Sequence, residues 1–203
     1  MLETGGGIKN IAPFIGDNPI LIFNGDIISD IDLTGLIEHH TQSNNVATLA
    51  VKSKGPTCNI AVEGNQVTDI RHSLGVHLGN HQFTGIYCIQ PEILQLIPSN
   101  EKISIIPAFL ELVKTKQLGC YNVDAANWCD IGTLEAYHQV HANSPEKNAD
   151  GSFISPLASV GEHCQIHNSI VWPGAVIEPH TSLEHCVVYS SSPVSGAHKN
   201  ALL

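Results

Sequence analysis

Apolar residues fall along this chain in two rhythms, and the change comes near residue 150. In the first stretch, short apolar runs alternate with segments of helical period. NPILIFN (18–24) is an apolar run closed by a proline turn on one side and a glycine on the other, the pattern of a strand buried on both faces; it is expected as a central parallel strand. In DLTGLIEHHTQS (32–43), Leu33, Leu36 and Ile37 sit at helical spacing and Asp32 is placed to cap the helix. VATLAVKS (46–53) reads as the next strand, and CNIAVEGNQVTDIRH (58–72) as a hairpin about Glu63, Gly64 and Asn65. FTGIYCIQ (83–90) is a further strand, and PEILQLI (91–97) opens with proline at a first helical position. IIPAFLELVKTKQ (105–117) is amphipathic, with Phe109, Leu110, Leu112 and Val113 facing a core. LGCYNVDAANWCDIGT (118–133) gives two strands around a turn before a helix in LEAYHQVHAN (134–143).

After SPEKNADGS (144–152), whose polar, proline and glycine content is that of a linker, the period changes. Ile154, Val160, Ile166 and Trp172 are six residues apart, and Ile177 and Leu183 resume the step after a one-residue slip. One inward aliphatic per hexad, with Gly161, Asn168, Pro173 and Gly174 between, predicts a short left-handed parallel β-helix, whose coils bury a core only by stacking. Irregular short strands are the alternative. The expected division is an α/β domain over 1–143, a linker over 144–152, hexad repeats over 153–189 and a tail over 190–203.

Composition narrows the function classes. With 203 residues, 42% hydrophobic and 14% charged, the chain describes a globular α/β protein, and no apolar run is long enough to span a membrane. A net charge of −10 and the lack of a basic stripe argue against nucleic acid as partner. No basic and then apolar leader precedes the first glycines, so a cytoplasmic setting is expected; six scattered cysteines without a CxxC pair fit reduced thiols.

Three short motifs carry candidate chemistry. Asp26 follows Gly25 at the end of the 18–24 run, where open α/β sheets bind ligands, so it either projects an acid into a crevice or caps the next element. Asp130 stands at the end of a second short strand, with Gly132 and Thr133 opening a helix. Two carboxylates converging on one crevice repel unless a cation separates them, and hard oxygen ligands beside phosphate point to Mg2+. Gly5, Gly6 and Gly7 precede a helical stretch and either offer backbone amides or a flat surface to a ligand, or form a flexible loop.

In order, TGGGIKNIAPFIGDNPILIFNGDI, HQFTGIYCIQPEIL, WCDIGTLEAY and hexads that include NSIVWPGAVI resemble the sugar-1-phosphate nucleotidyltransferases, especially the mannose-1-phosphate guanylyltransferase-like and N-acetylmuramate-1-phosphate uridylyltransferase-like branch. The resemblance covers nearly the whole chain. It implies an α/β, Rossmann-like nucleotidyltransferase sheet followed by hexapeptide repeats, and a Mg2+-dependent reaction of a nucleoside triphosphate with a sugar-1-phosphate that releases pyrophosphate. It further implies that Asp26 and Asp130 are the catalytic, metal-binding acids; that Thr4, Gly5, Gly6, Gly7, Asn24 and Gly25 bind the nucleotide; that Thr84 and Gly85 line the sugar site; and that the repeats mediate homo-oligomers.

The family opens with a strand and loop of the form GxGTRLxPxT and a Pro-Lys pair, and no GTRL or PKP string occurs in this sequence. An N-terminally truncated enzyme is therefore expected, its activity left open; the alternative is a non-catalytic regulatory or binding homologue. VTDIRHSLGV replaces the family's Glu-Lys-Pro string, which leaves Arg71 as a candidate phosphate contact. An acyltransferase with His167 as base ranks lower, because so few coils offer little surface to a donor. His39, His40, His138 and His141 lack a partner at metal spacing and are expected at helix surfaces or ends; Cys58, Cys88 and Cys129 are expected as small core residues and Trp128 as packing for the Asp130 strand.

Overall fold

The computed structural model describes residues 2–142, 148 and 150–203. The chain divides into two compact units, Met1–Cys129 and Asp130–Leu203. The division falls ahead of the helix Leu134–Ala142, which the sequence, reading it as 134–143, assigns to the first domain, and most of the linker expected over 144–152 lies outside the described residues.

The first unit contains α1 (Glu3–Asn10), β1 (Ile20–Phe23), β2 (Ile27–Ser29), α2 (Leu33–Gln42), β3 (Ala47–Lys52), β4 (Cys58–Glu63), β5 (Gln66–Ile70), β6 (His81–Ile89), α3 (Ile106–Lys114), β7 (Leu118–Asn122) and most of β8 (Trp128–Asp130). Six strands form one sheet in the order β1-β6-β3-β7-β5-β4, and β2 pairs separately with β8. Only β3 and β7 run parallel in the six-stranded sheet; its other pairs are antiparallel. β1 therefore lies at one end of this sheet, Ile20 opposite Ile89 and Phe23 opposite Ile86, and is not the central parallel strand its apolar run predicts. Such a run reports that both faces are covered; it carries no information on strand direction or number of neighbours.

Strand β6 shows how the core is divided. Tyr87 and Ile89 point into a cluster with Phe109 and Leu112 of α3, while Ile86 and Cys88 point into the opposite cluster with Leu36 of α2. Alternation along a strand sends successive side chains to opposite faces, so a helix on each side covers both. The α3 side is closed by aromatic packing: the Phe109 ring stands edge-on to Tyr87, centroids 5.3 Å apart and planes at 87°. Full burial of Phe109 contributes roughly 2–3 kcal/mol. The α2 N-cap is as the sequence predicts, with the Asp32 carboxylate accepting the Gly35 N–H at 3.0 Å. Its inward stripe differs. Ile37 is exposed, and His40, one turn beyond Leu36, is fully buried with Nδ1 2.8 Å from Thr48 Oγ1. Burial, and then the charge of neighbouring His39, hold the His40 pKa below its ordinary value.

The second unit contains α4 (Leu134–Ala142) and short strands β9 (Phe153–Ile154), β10 (Ser159–Val160), β11 (Gln165–His167), β12 (Ile170–Val171), β13 (Val176–Ile177), β14 (Ser182–Glu184), β15 (Val187–Val188) and β16 (Ala197–Lys199). They form three parallel sheets, β10-β13, β11-β14-β16 and β15-β12-β9. Ser159 pairs with Val176, Gln165 with Ser182 and Ile170 with Val187, so the chain returns beside itself after 17 residues, and the last return, from Ser182 to Ala197 and from Val187 to Leu202, is shortened to 15. Stacked inward positions are Ile154, Val171 and Val188; Val160, Ile177 and Val194; and Ile166 with Leu183. The one-residue slip thus comes between Ile166 and Val171, earlier than the sequence period places it. Val171 is buried where Trp172 is expected, and Trp172 is half-buried. Val160, with a paired strand on one side only, is 40% exposed. The stretch 190–203, expected as a separate tail, continues the pairing through β16 and a Val187–Leu202 bridge.

No helix among the described residues is long and apolar enough to cross a membrane. Among the described residues no two cysteines form a disulfide; Cys88, Cys120 and Cys186 are buried, and Cys58, Cys129 and Cys164 are half-buried. Burial pushes the Cys88 and Cys120 thiols up to about 11.

Candidate active site

The chain leaves β1 through a tight turn. Asn24 donates its N–H to Gly85 O at 3.1 Å, and Ile27 N–H returns to Asn24 O at 3.3 Å, so Gly25 and Asp26 form the tip. Gly85 lies in β6 with φ +77, a region that favours glycine, and a Cβ there would sit 2.9 Å from Asn24 Nδ2. Two motifs far apart in sequence thus meet through one backbone hydrogen bond and one close approach. Gly25 and Asp26 are exposed, with nothing within 4 Å of a Cβ built on Gly25. Among the described residues, no donor reaches the Asp26 carboxylate.

Thr84 sits directly behind this turn, fully buried. Its hydroxyl donates to Ala50 O at 2.8 Å, its own carbonyl accepts Trp128 Nε1–H at 2.7 Å, and Ile86 N–H reaches its Oγ1 at 3.3 Å. The hydroxyl is committed to the sheet, and the adjacent Gly85 backbone is what this segment presents at the turn. Trp128, expected as packing, also makes a directional link, since its indole N–H ties β8 to Thr84.

The glycine run lies elsewhere in character. Gly5, Gly6 and Gly7 are inside α1 and do not precede it. Gly6 N–H donates to Ile103 O at 2.9 Å, Ile103 N–H donates to Leu2 O at 3.1 Å, and Thr4 Oγ1 accepts Ile105 N–H at 3.2 Å. A Cβ on Gly5 would lie 2.7 Å from Ser104 O, and one on Gly6 would run into Glu101 O. The first two glycines let a helix lie against the 101–104 backbone, and Thr4 caps the start of α3. Gly7 has open space. The expected exposed-amide loop is therefore replaced by helix packing, because the close approach outweighs the low helix propensity of glycine.

Asp130 ends β8 and opens the second unit. One carboxylate oxygen accepts Gly132 N–H at 2.8 Å, and Thr133 Oγ1 accepts Ala136 N–H at 3.1 Å to cap α4. The strand-acid-helix arrangement expected from the sequence is present, and the acid is exposed. No group of three or more His, Cys, Asp or Glu side chains placed to hold a metal occurs among the described residues. An exposed carboxylate such as Asp26, with no partner among the described residues, still fits Mg2+, which takes one or two protein carboxylates and fills its remaining positions with phosphate oxygens and water.

Four further residues of the first unit had no local signal in the sequence. Both oxygens of Asp30 accept hydrogen bonds from Asn127, from its N–H at 2.6 Å and its side-chain amide at 2.7 Å. The Asn127 side-chain and backbone N–H groups hold the Asp30 carboxyl below its usual range. Lys52 donates to the carbonyls of Val123 and Asp124 at 3.1 Å and of Ala126 at 2.6 Å, fixing the turn that leads to β8. Asp69, fully buried, accepts the N–H groups of Ile70, Leu74 and Val76 and shapes the loop holding Arg71; Arg71 itself is exposed with φ 55. The Asp30 and Lys52 links join segments distant in sequence, so no window of residues could reveal them, whereas the Asp69 bonds stay within its own loop.

Comparison with known proteins follows this geometry. Residues 2–147 match the family model described as Nucleotidyl transferase. A mannose-1-phosphate guanylyltransferase of Mycobacterium tuberculosis is 28% identical over 211 residues, covering 93% of this chain and 57% of that protein. An N-acetylmuramate alpha-1-phosphate uridylyltransferase of Neisseria meningitidis serogroup B is 24% identical, covering 66% of this chain and 58% of that protein. The fold is similar to that of a UTP-bound UGPase from Acinetobacter baumannii, with TM-score 0.55, 18% identity and coverage of 71% of this chain and 58% of that one. The chain spans little more than half the length of these relatives.

Proposed function

This chain belongs to the nucleotidyl transferase family, and from that premise we propose that it serves the synthesis of a nucleotide sugar, joining a nucleoside triphosphate to a sugar-1-phosphate with release of pyrophosphate. The observation that carries this reading is the turn at Asn24, Gly25 and Asp26, locked to Gly85 and presenting a carboxylate that no described residue occupies. Its curated relatives are sugar-1-phosphate guanylyl- and uridylyltransferases, which supports the reaction class.

In this reading Asp26 and Asp130 are metal-binding acids, and Mg2+ would neutralise charge on the phosphates. The chain's own part is positional. The open backbone at Gly25 lets a phosphate or sugar approach the turn, Gly85 fixes the turn's height over the sheet, and the exposed Asp26 has no hydrogen bond to a described residue to break before it takes a ligand. Attack of the sugar phosphate oxygen on an α-phosphorus requires no protein nucleophile, so alignment and electrostatics supply the rate. Thr4 contributes by capping α3, and Gly5 and Gly6 by packing α1, so any contact they make with nucleotide runs through backbone. The second unit reads as a short left-handed parallel β-helix; the 17-residue return and the six, six, five step of its inward positions support this, and assembly into homo-oligomers is its proposed role.

The test is pyrophosphate release from GTP with mannose-1-phosphate, and from UTP or dTTP with the matching sugar phosphates, in the presence of Mg2+. Asp26→Asn and Asp130→Asn should each lower turnover by about 100-fold or more, the scale of removing one group that stabilises transition-state charge. Near-normal turnover in both variants rules out the metal assignment.

A further inference from the structure

Asp30 is exposed, yet one residue 97 positions away occupies both of its carboxylate oxygens: Asn127, through its backbone N–H at 2.6 Å and its side-chain amide at 2.7 Å. The same residue's carbonyl accepts Ser29 Oγ–H at 2.7 Å and Asp30 N–H at 3.3 Å. Exposed polar pairs of this kind contribute little to global stability, because water competes for each bond. A two-point fork does fix the separation and rotation of the segments it joins. Its value here is therefore geometric.

What it fixes can be traced link by link within the first unit. Asn127 is followed by Trp128, whose indole N–H donates to Thr84 O; Gly85 O accepts Asn24 N–H; Asn24 opens the turn that carries Asp26; and β2 runs from that turn back to Asp30. Hydrogen bonds and covalent bonds thus close a ring around the turn, and the Asp30 fork is the carboxylate clamp added to the strand pairing that joins β2 to β8. We propose that Asp30 and Asn127 are positioning residues whose latch fixes the Asp26 turn in its ligand-ready geometry; the ligand part of this proposal rests on the reading of Asp26 given above. Neither residue touches the Asp26 carboxylate.

The test uses the full 203-residue chain. Amide exchange is followed at Asn24 and Ile27 together with the indole N–H of Trp128, and Trp172 in the other unit serves as internal control. Mn2+ affinity is measured in parallel by electron paramagnetic resonance. Asp30→Ala and Asn127→Ala should each speed exchange at all three positions, leave Trp172 unchanged and move the melting temperature by no more than about 2 °C. Each should also weaken Mn2+ binding by about tenfold, the lower end of the effect of losing an outer-shell partner, and the double alanine variant should be no worse than the single ones. Asn127→Ala matters most, since it keeps the Asp30 charge; a purely electrostatic effect would appear in Asp30→Ala alone. Exchanging acceptor and donor in the double variant Asp30→Asn with Asn127→Asp should restore exchange protection and affinity.

Unchanged exchange in Asn127→Ala overturns the latch whatever the metal does. Faster exchange with unaltered, Asp26-dependent Mn2+ binding overturns the link to ligand geometry. Faster exchange in a chain whose parent shows no Asp26-dependent Mn2+ binding supports the latch and refutes the metal reading of Asp26.

Discussion

Gly5 and Gly6 in α1 and Gly25 and Gly85 around the Asp26 turn come from motifs that read alike, short polar strings in which glycine suggests a ligand against the backbone. The structure separates them by what stands where a Cβ would be. Beside Gly5 and Gly6 it is the protein's own 101–104 backbone; beside Gly85 it is Asn24; beside Gly25 there is open space. The first pair serve packing, Gly85 serves the turn, and only Gly25 leaves room for something from outside. A glycine in a motif thus acquires its role from its neighbours, which sequence order does not display.

Alanine substitution breaks or sharpens that contrast, and the largest effect belongs to α1. Alanine is a better helix former than glycine by about 1 kcal/mol, so an unpacked helix would gain from the change. Against the carbonyls of Ser104 and Glu101, Gly5→Ala and Gly6→Ala should each instead cost about 3 kcal/mol, the scale of overpacking, read as a lowered urea midpoint. A stabilised Gly6→Ala would remove the packing account. Next in size is Gly85→Ala, which should cost about 1–2 kcal/mol for a left-handed backbone and the approach to Asn24, with faster amide exchange at Asn24.

Adjacent histidines sharpen the same lesson through pH. His39 is half-buried, its ring 5.2 Å from that of Tyr121, whereas His40 is sealed beneath α2 with Nε2 unpartnered. Because burial lowers the folded pKa of His40, the unfolded chain binds the proton more readily. Stability present above the unfolded value of about 6.5 should decline as pH falls below it, with a limiting slope of about 1.4 kcal/mol per pH unit from this group, down to the folded pKa. Denaturant melts at stepped pH values check this: His40→Gln should flatten the slope, while His39→Gln, which removes the lesser cause of the shift, should keep it over a narrower pH range. The smallest effects return to the glycines: Gly7→Ala should stabilise by roughly 0.5–1 kcal/mol and Gly25→Ala should change stability by less than about 0.5 kcal/mol. A marked loss of stability at Gly25 would place protein atoms where the account needs space.

The elements of the first unit were largely legible. The Asp32 cap, the hairpin at Gly64, the strands bearing Thr84 and Trp128, and the inward placement of Phe109 and Leu112 all follow from local period and turn chemistry. So did the meeting of strand-end acid and glycine at Asp26, since strand-to-turn transitions are written in adjacent residues. What was not legible is non-local. The antiparallel place of β1 and the Asp30–Asn127 fork depend on partners well beyond any local window, and the burial of His40 depends on how α2 packs on β3, which helical spacing alone does not display. In the second unit the six-residue step was visible. The five-residue step that brings Val171 inward in place of Trp172 was not, because either residue satisfies an apolar position and only the strand register decides between them.

The most direct test of the central claim is isothermal titration of this chain with GDP-mannose, then with UDP and dTDP sugars, with and without Mg2+, alongside Asp26→Asn. The account predicts binding to one of these classes that requires Mg2+ and disappears in Asp26→Asn, with the variant's melting temperature unchanged. A folded chain that binds none of them, or binds equally well with asparagine at position 26, would contradict the assignment of this turn as the ligand site.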